Sequence, residues 1–311
     1  MKKKIISVYQ FSKQVIDEFS EDNVLKYSAS LSYYTIFSIA PLLIIIISVC
    51  DVLFSKEAMQ GKIYGEIKNL VGSDAALQIQ TTIQNVHLSN DSWVATVIGI
   101  VTLILGATGV FGEIQDSLNR IWGLKVKPTS GWFKLVLNRI LSFSLILSLG
   151  FVFMVSLALN AIVIAIGSRI NNLFSGAIYN FIPLIENILS FGITTIIFAA
   201  IFKILPDAKI KWKDVIVGAL VTALLFVLGK FLIGYYLSTS KLNTMYGAAG
   251  SIIIILSWTY YSSAILYMGA EFTKVYALSY NRRIEPNIYS EWIKVEEVHI
   301  ENVESSVEDK K

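Results

Sequence analysis

The sequence predicts an all-α membrane protein, a polytopic bundle of about six transmembrane helices with both termini in the cytoplasm. Three observations carry that prediction. Only 16% of the residues are charged and the mean hydropathy is +0.61, whereas about a quarter of an ordinary soluble domain is charged. The apolar residues are gathered into runs of about 20, the length that crosses the hydrocarbon layer at about 1.5 Å per residue. Lys and Arg concentrate in alternate connections between those runs.

Six runs meet the length requirement: Leu31–Phe54, Trp93–Phe111, Leu135–Ile166, Ile178–Ile204, Val215–Leu237 and Gly247–Met268. The third is longer than a perpendicular helix needs, which implies tilt or extension beyond the bilayer. The N-terminal segment carries Lys2, Lys3, Lys4, Lys13 and Lys26. Arg120, Lys125, Lys127 and Lys134 fall in the second connection, and Lys203, Lys209, Lys211 and Lys213 in the fourth. The third connection has only Arg169 and the fifth only Lys241. Basic segments face the cytoplasm, so an even number of spans with both ends inside satisfies the whole pattern. Trp93, Tyr235, Tyr236 and Tyr246 then mark the outer interface, and Trp122, Trp132 and Trp212 the inner one.

Outside the spans, residues 1–27 form a cytoplasmic segment that reads as an amphipathic helix. Ile5, Val8, Ser12, Val15 and Phe19 share one face, with Lys2–Lys4 alongside, which suits the inner membrane surface. Residues 56–91 read as an external helical hairpin, broken at Gly72-Ser73-Asp74. The spans and hairpin make one domain, 28–284. The segment 285–311 carries eight acidic residues and is expected to be disordered. The lone Cys50 excludes an intrachain disulfide and a thiolate metal cluster. Met1 to Tyr27 is too polar for a cleavable signal peptide, and no internal repeat is visible.

Four strings make the chain resemble the YihY/BrkB family of bacterial inner-membrane proteins, formerly labelled ribonuclease BN. They are ASLSYYTIFSIAPLL from Ala29, GEIQDSLNRIWGLK from Gly112, LPDAKIKWKDVIVGAL from Leu205, and YGAAGSIIIILSWTYYSSAILYMGAEF from Tyr246. The resemblance implies a six-span protein of the bacterial cytoplasmic membrane whose biochemistry is unsettled, with proposals from envelope function to ion antiport. It stops at Glu285.

An ionisable group inside a span costs roughly 2.5–3.5 kcal/mol on insertion scales, so each one is a functional candidate. Glu186 and Lys230 lie at similar depths in the fourth and fifth spans, and Asn160 lies in the outer half of the third. Together they form a candidate intramembrane polar site. The competing reading has Lys230 snorkelling outward and Glu186 reaching interfacial water. At the inner face, Glu113, Asp116 and Arg120 share one side of a helix, with Glu271 placed to join them as a gate or docking face. An ordinary solvated helix end is the plainer account. Pro41 is a candidate hinge in the first span. Gly218, Ala219, Thr222 and Ala223 form a small-residue stripe suited to packing within the bundle.

These features imply a non-enzymatic transporter or lipid-handling protein of the cell envelope. Few polar residues line any span, which favours lipid over a hydrophilic solute. The expected partners are membrane lipids and an ion or lipid substrate, with no cofactor, no metal and no nucleic acid; nothing argues for a homo-oligomer. The alternative is a membrane scaffold or envelope-assembly factor without transport. A ribonuclease is disfavoured. Its chemistry needs paired histidines or a metal cluster, yet His87 and His299 fall on opposite sides of the membrane, and no RNA-stacking module is present.

Overall fold

The computed structural model describes residues 8–53, 109–127, 182–240 and 248–293, without the side chains of 39–53, 182–183, 186, 237–238, 248–249 and 251. The hairpin 56–91, the third span with Asn160, and most of the second span lie outside the described residues. So does everything beyond Ile293.

Six helices are described: α1 (Val8–Glu21), α2 (Val24–Leu53), α3 (109–121), α4 (Ile182–Ile204), α5 (Trp212–Thr239) and α6 (Ala248–Ser279). Among the described residues, three helices are long and apolar enough to cross a membrane, over Asn187–Ile204, Trp212–Tyr236 and Ile252–Ser279. α2 runs through Pro41 without a break; the proline's side chain, and with it the hinge, lies outside the described residues.

α6 is the axis of the bundle and packs against α5, α2 and α1, while α4 packs on α5. Small residues permit the α5–α6 approach. Ala219 and Ala223 are fully buried. A Cβ on Gly229 would meet Ile265 and Tyr261. The opposite face of α5, with Ile216, Leu220, Leu224, Leu228 and Leu232 four residues apart, is exposed, the stripe that a lipid-facing helix presents. Hydroxyls within the helices bond back to their own backbone: Thr194 to Ser190 O, Thr195 to Phe191 O, Thr222 to Gly218 O, Ser263 to Thr259 O and Thr273 to Gly269 O.

The chain after α6 is structured as far as Ile293, against the expectation of disorder from 285 onward; the remainder of that segment lies outside the described residues. Asn281, at φ 55°, turns the chain back over the end of the bundle. Strand β1 (Leu124–Val126) pairs antiparallel with β4 (Ser290–Trp292), and β2 (Ala208–Lys209) with β3 (Glu285–Pro286). Over 285–293 the acidic residues mislead because they face outward. Ile284 and Ser290 are buried while Glu285 and Glu291 are exposed.

Helix α1 turns only part of its expected stripe toward the bundle. Val15 is buried and Phe19 half-buried, but Val8 and Ser12 are exposed. Phe11 packs edge-on against Phe272 of α6, with ring centroids 5.2 Å apart. The inward stripe therefore runs Phe11, Val15, Glu18, Asp22, and its charged members are answered by α6.

Candidate functional site: a polar, cation-lined bundle end

One group of buried polar side chains gathers where α4 hands over to α5. The turn after α4 carries Asp207, 5% exposed. Its Oδ2 accepts from Gln115 Nε2 and Asn119 Nδ2, both at 3.1 Å, and its Oδ1 accepts from Asn287 Nδ2 at 3.1 Å. The Asp207 N–H donates to Asn119 Oδ1 at 2.8 Å, and its carbonyl accepts from Ser290 Oγ at 2.6 Å. One carboxylate thus joins α3, the α4–α5 turn and the C-terminal strands. A buried carboxylate needs such donors, because leaving it unmet costs more than a neutral group would.

A second knot fixes the first turn of α5. Arg282 Nη2 meets Asp214 Oδ1 at 2.8 Å, with Asp214 almost wholly buried, and the guanidinium also lies over the rings of Tyr276 and Tyr280. Asp214 stands at a helix N-terminus, where negative charge is favoured.

The third knot joins α1 to α6. Lys274 Nζ lies 2.6 Å from Glu18, 2.8 Å from Asp22 and 3.4 Å from Glu271. Glu271 is 0% exposed. Oxygens of these three acids all lie within 4.8 Å of one another. They are the one acidic group among the described residues with a geometry suited to ligating a metal, and the Lys274 ammonium already sits among them as the cation.

Next to Lys274 opens a pocket of about 220 Å³. Trp122, Leu278, Ile284 and Trp292 supply apolar walls, and Lys274 and Arg283 the charge. The walls are fixed from behind. The Trp122 indole donates to Ala270 O at 3.2 Å, and the Trp292 indole to Ile284 O at 3.1 Å. Gly123, at φ 67°, turns the chain out of α3, and its carbonyl accepts from Ile293 N at 2.9 Å.

The residues singled out from sequence are distributed differently. Glu113 is half-buried and Asp116 and Arg120 exposed on α3. Glu271 pairs with Lys274 beside the α1 acids rather than with Arg120, because α1 docks against α6 and brings its own carboxylates to the buried stretch. Lys230 is half-buried on α5. Glu186 stands on α4, 204 − 186 = 18 residues before that helix ends, and Lys230 on α5, 230 − 212 = 18 residues after it begins. The two backbone positions therefore share a level, while the Glu186 side chain and Asn160 lie outside the described residues. Asp207, Gln115, Asn287, Glu18, Asp22 and Lys274 escaped the sequence reading. The available signal was that Gln115, Asn119 and Asp207 all sit in the strings that carried the family likeness.

The sequence profile of the family described as virulence factor BrkB matches residues 15–290, so the likeness extends past Glu285 into β4. Similar curated proteins include a UPF0761 membrane protein of Psychromonas ingrahamii, 26% identical over 93% of this chain and 95% of its own length. Another is from Haemophilus influenzae, 26% identical over 86% and 95%. A third, from Vibrio atlanticus, is 28% identical over 88% and 84%. No solved structure matches.

Proposed function

This chain belongs to the virulence factor BrkB family of membrane proteins, and on that premise we propose that it handles lipid in the bacterial cytoplasmic membrane without acting as an enzyme. The observation that carries the reading is the ionic group in which the half-buried Lys274, Glu18 and Asp22 surround the fully buried Glu271. Burying an ion costs several kcal/mol even after relaxation, and apolar side chains would hold α1 to α6 more simply. Ionisable groups at such a position are functional candidates by default.

Lipid is favoured over a hydrophilic solute by the helix hydroxyls. Among the described residues they bond to their own backbone and form no continuous polar lining for a hydrated solute. The basic connections support a reading in which the Asp207 end faces the cytoplasm. A scaffold without transport is the second reading, favoured by the exposed Val8, Tyr9 and Ile16 of α1, which offer an apolar surface to a partner.

The test is reconstitution of the full chain in vesicles carrying a headgroup-labelled phospholipid in one leaflet. Movement of label between leaflets faster than in protein-free vesicles, and about tenfold slower with Glu271→Gln, is the expected result. A folded protein that leaves label movement at the protein-free rate overturns lipid handling and leaves the scaffold.

A further inference from the structure

We infer that the pocket between Trp122 and Trp292 binds the phosphate headgroup of a membrane phospholipid, with Arg283 as its principal anchor and Lys274 as a cation shared with helix α1. The inference rests on the lipid-handling reading and names the ligand chemistry.

The two adjacent arginines have different duties. Arg282 is held by Asp214 and by two tyrosine rings. Arg283 is exposed, lines the pocket, and makes no ion pair with any described residue. A guanidinium suits phosphate because its donors form a planar fork. The remaining walls are apolar or indole, and both indole N–H groups are already engaged by backbone carbonyls. They therefore present ring surface rather than donors to the ligand. A free phosphate gains nothing from such walls. A phosphate bearing a glycerol backbone and acyl chains buries apolar surface against Leu278 and Ile284. Tryptophan side chains favour the headgroup level of a bilayer.

Lys274 decides how strongly the pocket attracts an anion. Its ammonium is shared among three carboxylates, and Glu18 and Asp22 arrive on α1 rather than on the pocket wall. An incoming phosphate therefore competes with α1 for this cation. Neutralising the α1 acids strengthens binding, whereas a purely structural salt bridge has no such effect on a ligand.

The experiment is equilibrium binding of fluorescently tailed phosphatidylglycerol to the detergent-purified full chain, with inorganic phosphate as a parallel competitor. Arg283→Ala, at an exposed position, is expected to weaken binding about tenfold, in line with one lost charge-assisted hydrogen bond. Glu18→Gln with Asp22→Asn is expected to tighten it, and millimolar inorganic phosphate to leave it unchanged. Equal affinity in Arg283→Ala and the wild type overturns the site, as does displacement by inorganic phosphate alone. Binding that follows this pattern without label movement in vesicles would keep the site and reject lipid handling; label movement indifferent to Arg283→Ala would do the reverse.

Discussion

Thr222 of α5 fills the space that any side chain on Gly269 of α6 would need. The relation is reciprocal, since Thr273 of α6 does the same to Gly218 of α5. Each threonine donates its hydroxyl to a glycine carbonyl of its own helix, Thr222 to Gly218 and Thr273 to Gly269, both at 2.7 Å. Two Gly-xxx-Thr segments thus interlock, with the polar atom of each threonine satisfied locally and its bulk used across the interface.

Gly269→Val should therefore force α5 and α6 apart. Overpacking of this kind costs about 1–3 kcal/mol, read as a lower thermal unfolding midpoint in detergent. Adding Thr222→Ala should recover part of the loss, because it removes two of the three atoms that the new side chain meets. No recovery in the double variant would show that the contact lies elsewhere.

Lys274→Met should leave three carboxylates around a vacated cation, one of them fully buried. Breaking a buried pair by removing one partner costs about 3–5 kcal/mol, and the effect should centre on α1. Amide hydrogen exchange is the appropriate measurement. Faster exchange over Val8–Glu21 is expected, with α4 and α5 little changed; unchanged protection of α1 would mean that Phe11 and Val15 hold it unaided.

Asp207→Asn tests whether that side chain must be an acceptor on both oxygens. Asn119 is oriented by the Asp207 N–H that it accepts, and Asn287 by the Tyr289 N–H, so both present amide donors to position 207. An asparagine there opposes a donor to a donor. The orphaned group should cost about 1–3 kcal/mol, despite the nearly identical shape, and should speed exchange in the strands β2 and β3. Stability equal to wild type would show that the network rearranges freely.

Asp214→Ala should strand the Arg282 guanidinium and remove the negative charge from the first turn of α5. A loss of about 2–4 kcal/mol is expected from the buried pair and the helix end together, measured by denaturation. Arg282→Lys should be only partly tolerated, because lysine cannot stack a planar group on Tyr276 and Tyr280.

The helical bundle was legible because hydropathy is a property of each segment alone. The fourth, fifth and sixth runs reappear as α4, α5 and α6, with ends shifted by a few residues at most positions, although α6 continues eleven residues past Met268. The small-residue stripe at Gly218, Ala219, Thr222 and Ala223 was also readable, since close helix approach leaves only small side chains as solutions. The polar site was less so. Glu113, Asp116 and Arg120 looked interesting because they carry charge, yet on the same helix the inward positions belong to the neutral Gln115 and Asn119. Charge marks exposure more often than it marks a site.

From its own residues the chain determined that it lives in lipid, that it is helical, and which helix faces can come close together. Those outcomes follow from apolar runs and local spacing, which need no knowledge of the rest of the molecule. Only the tertiary structure decided that Lys274 would meet Asp22, 252 positions away, or that Asn119 would meet Asp207, 88 positions away. A buried charge is stable only beside its partner, and the partner is chosen by which helices pack together rather than by anything written near it in the chain.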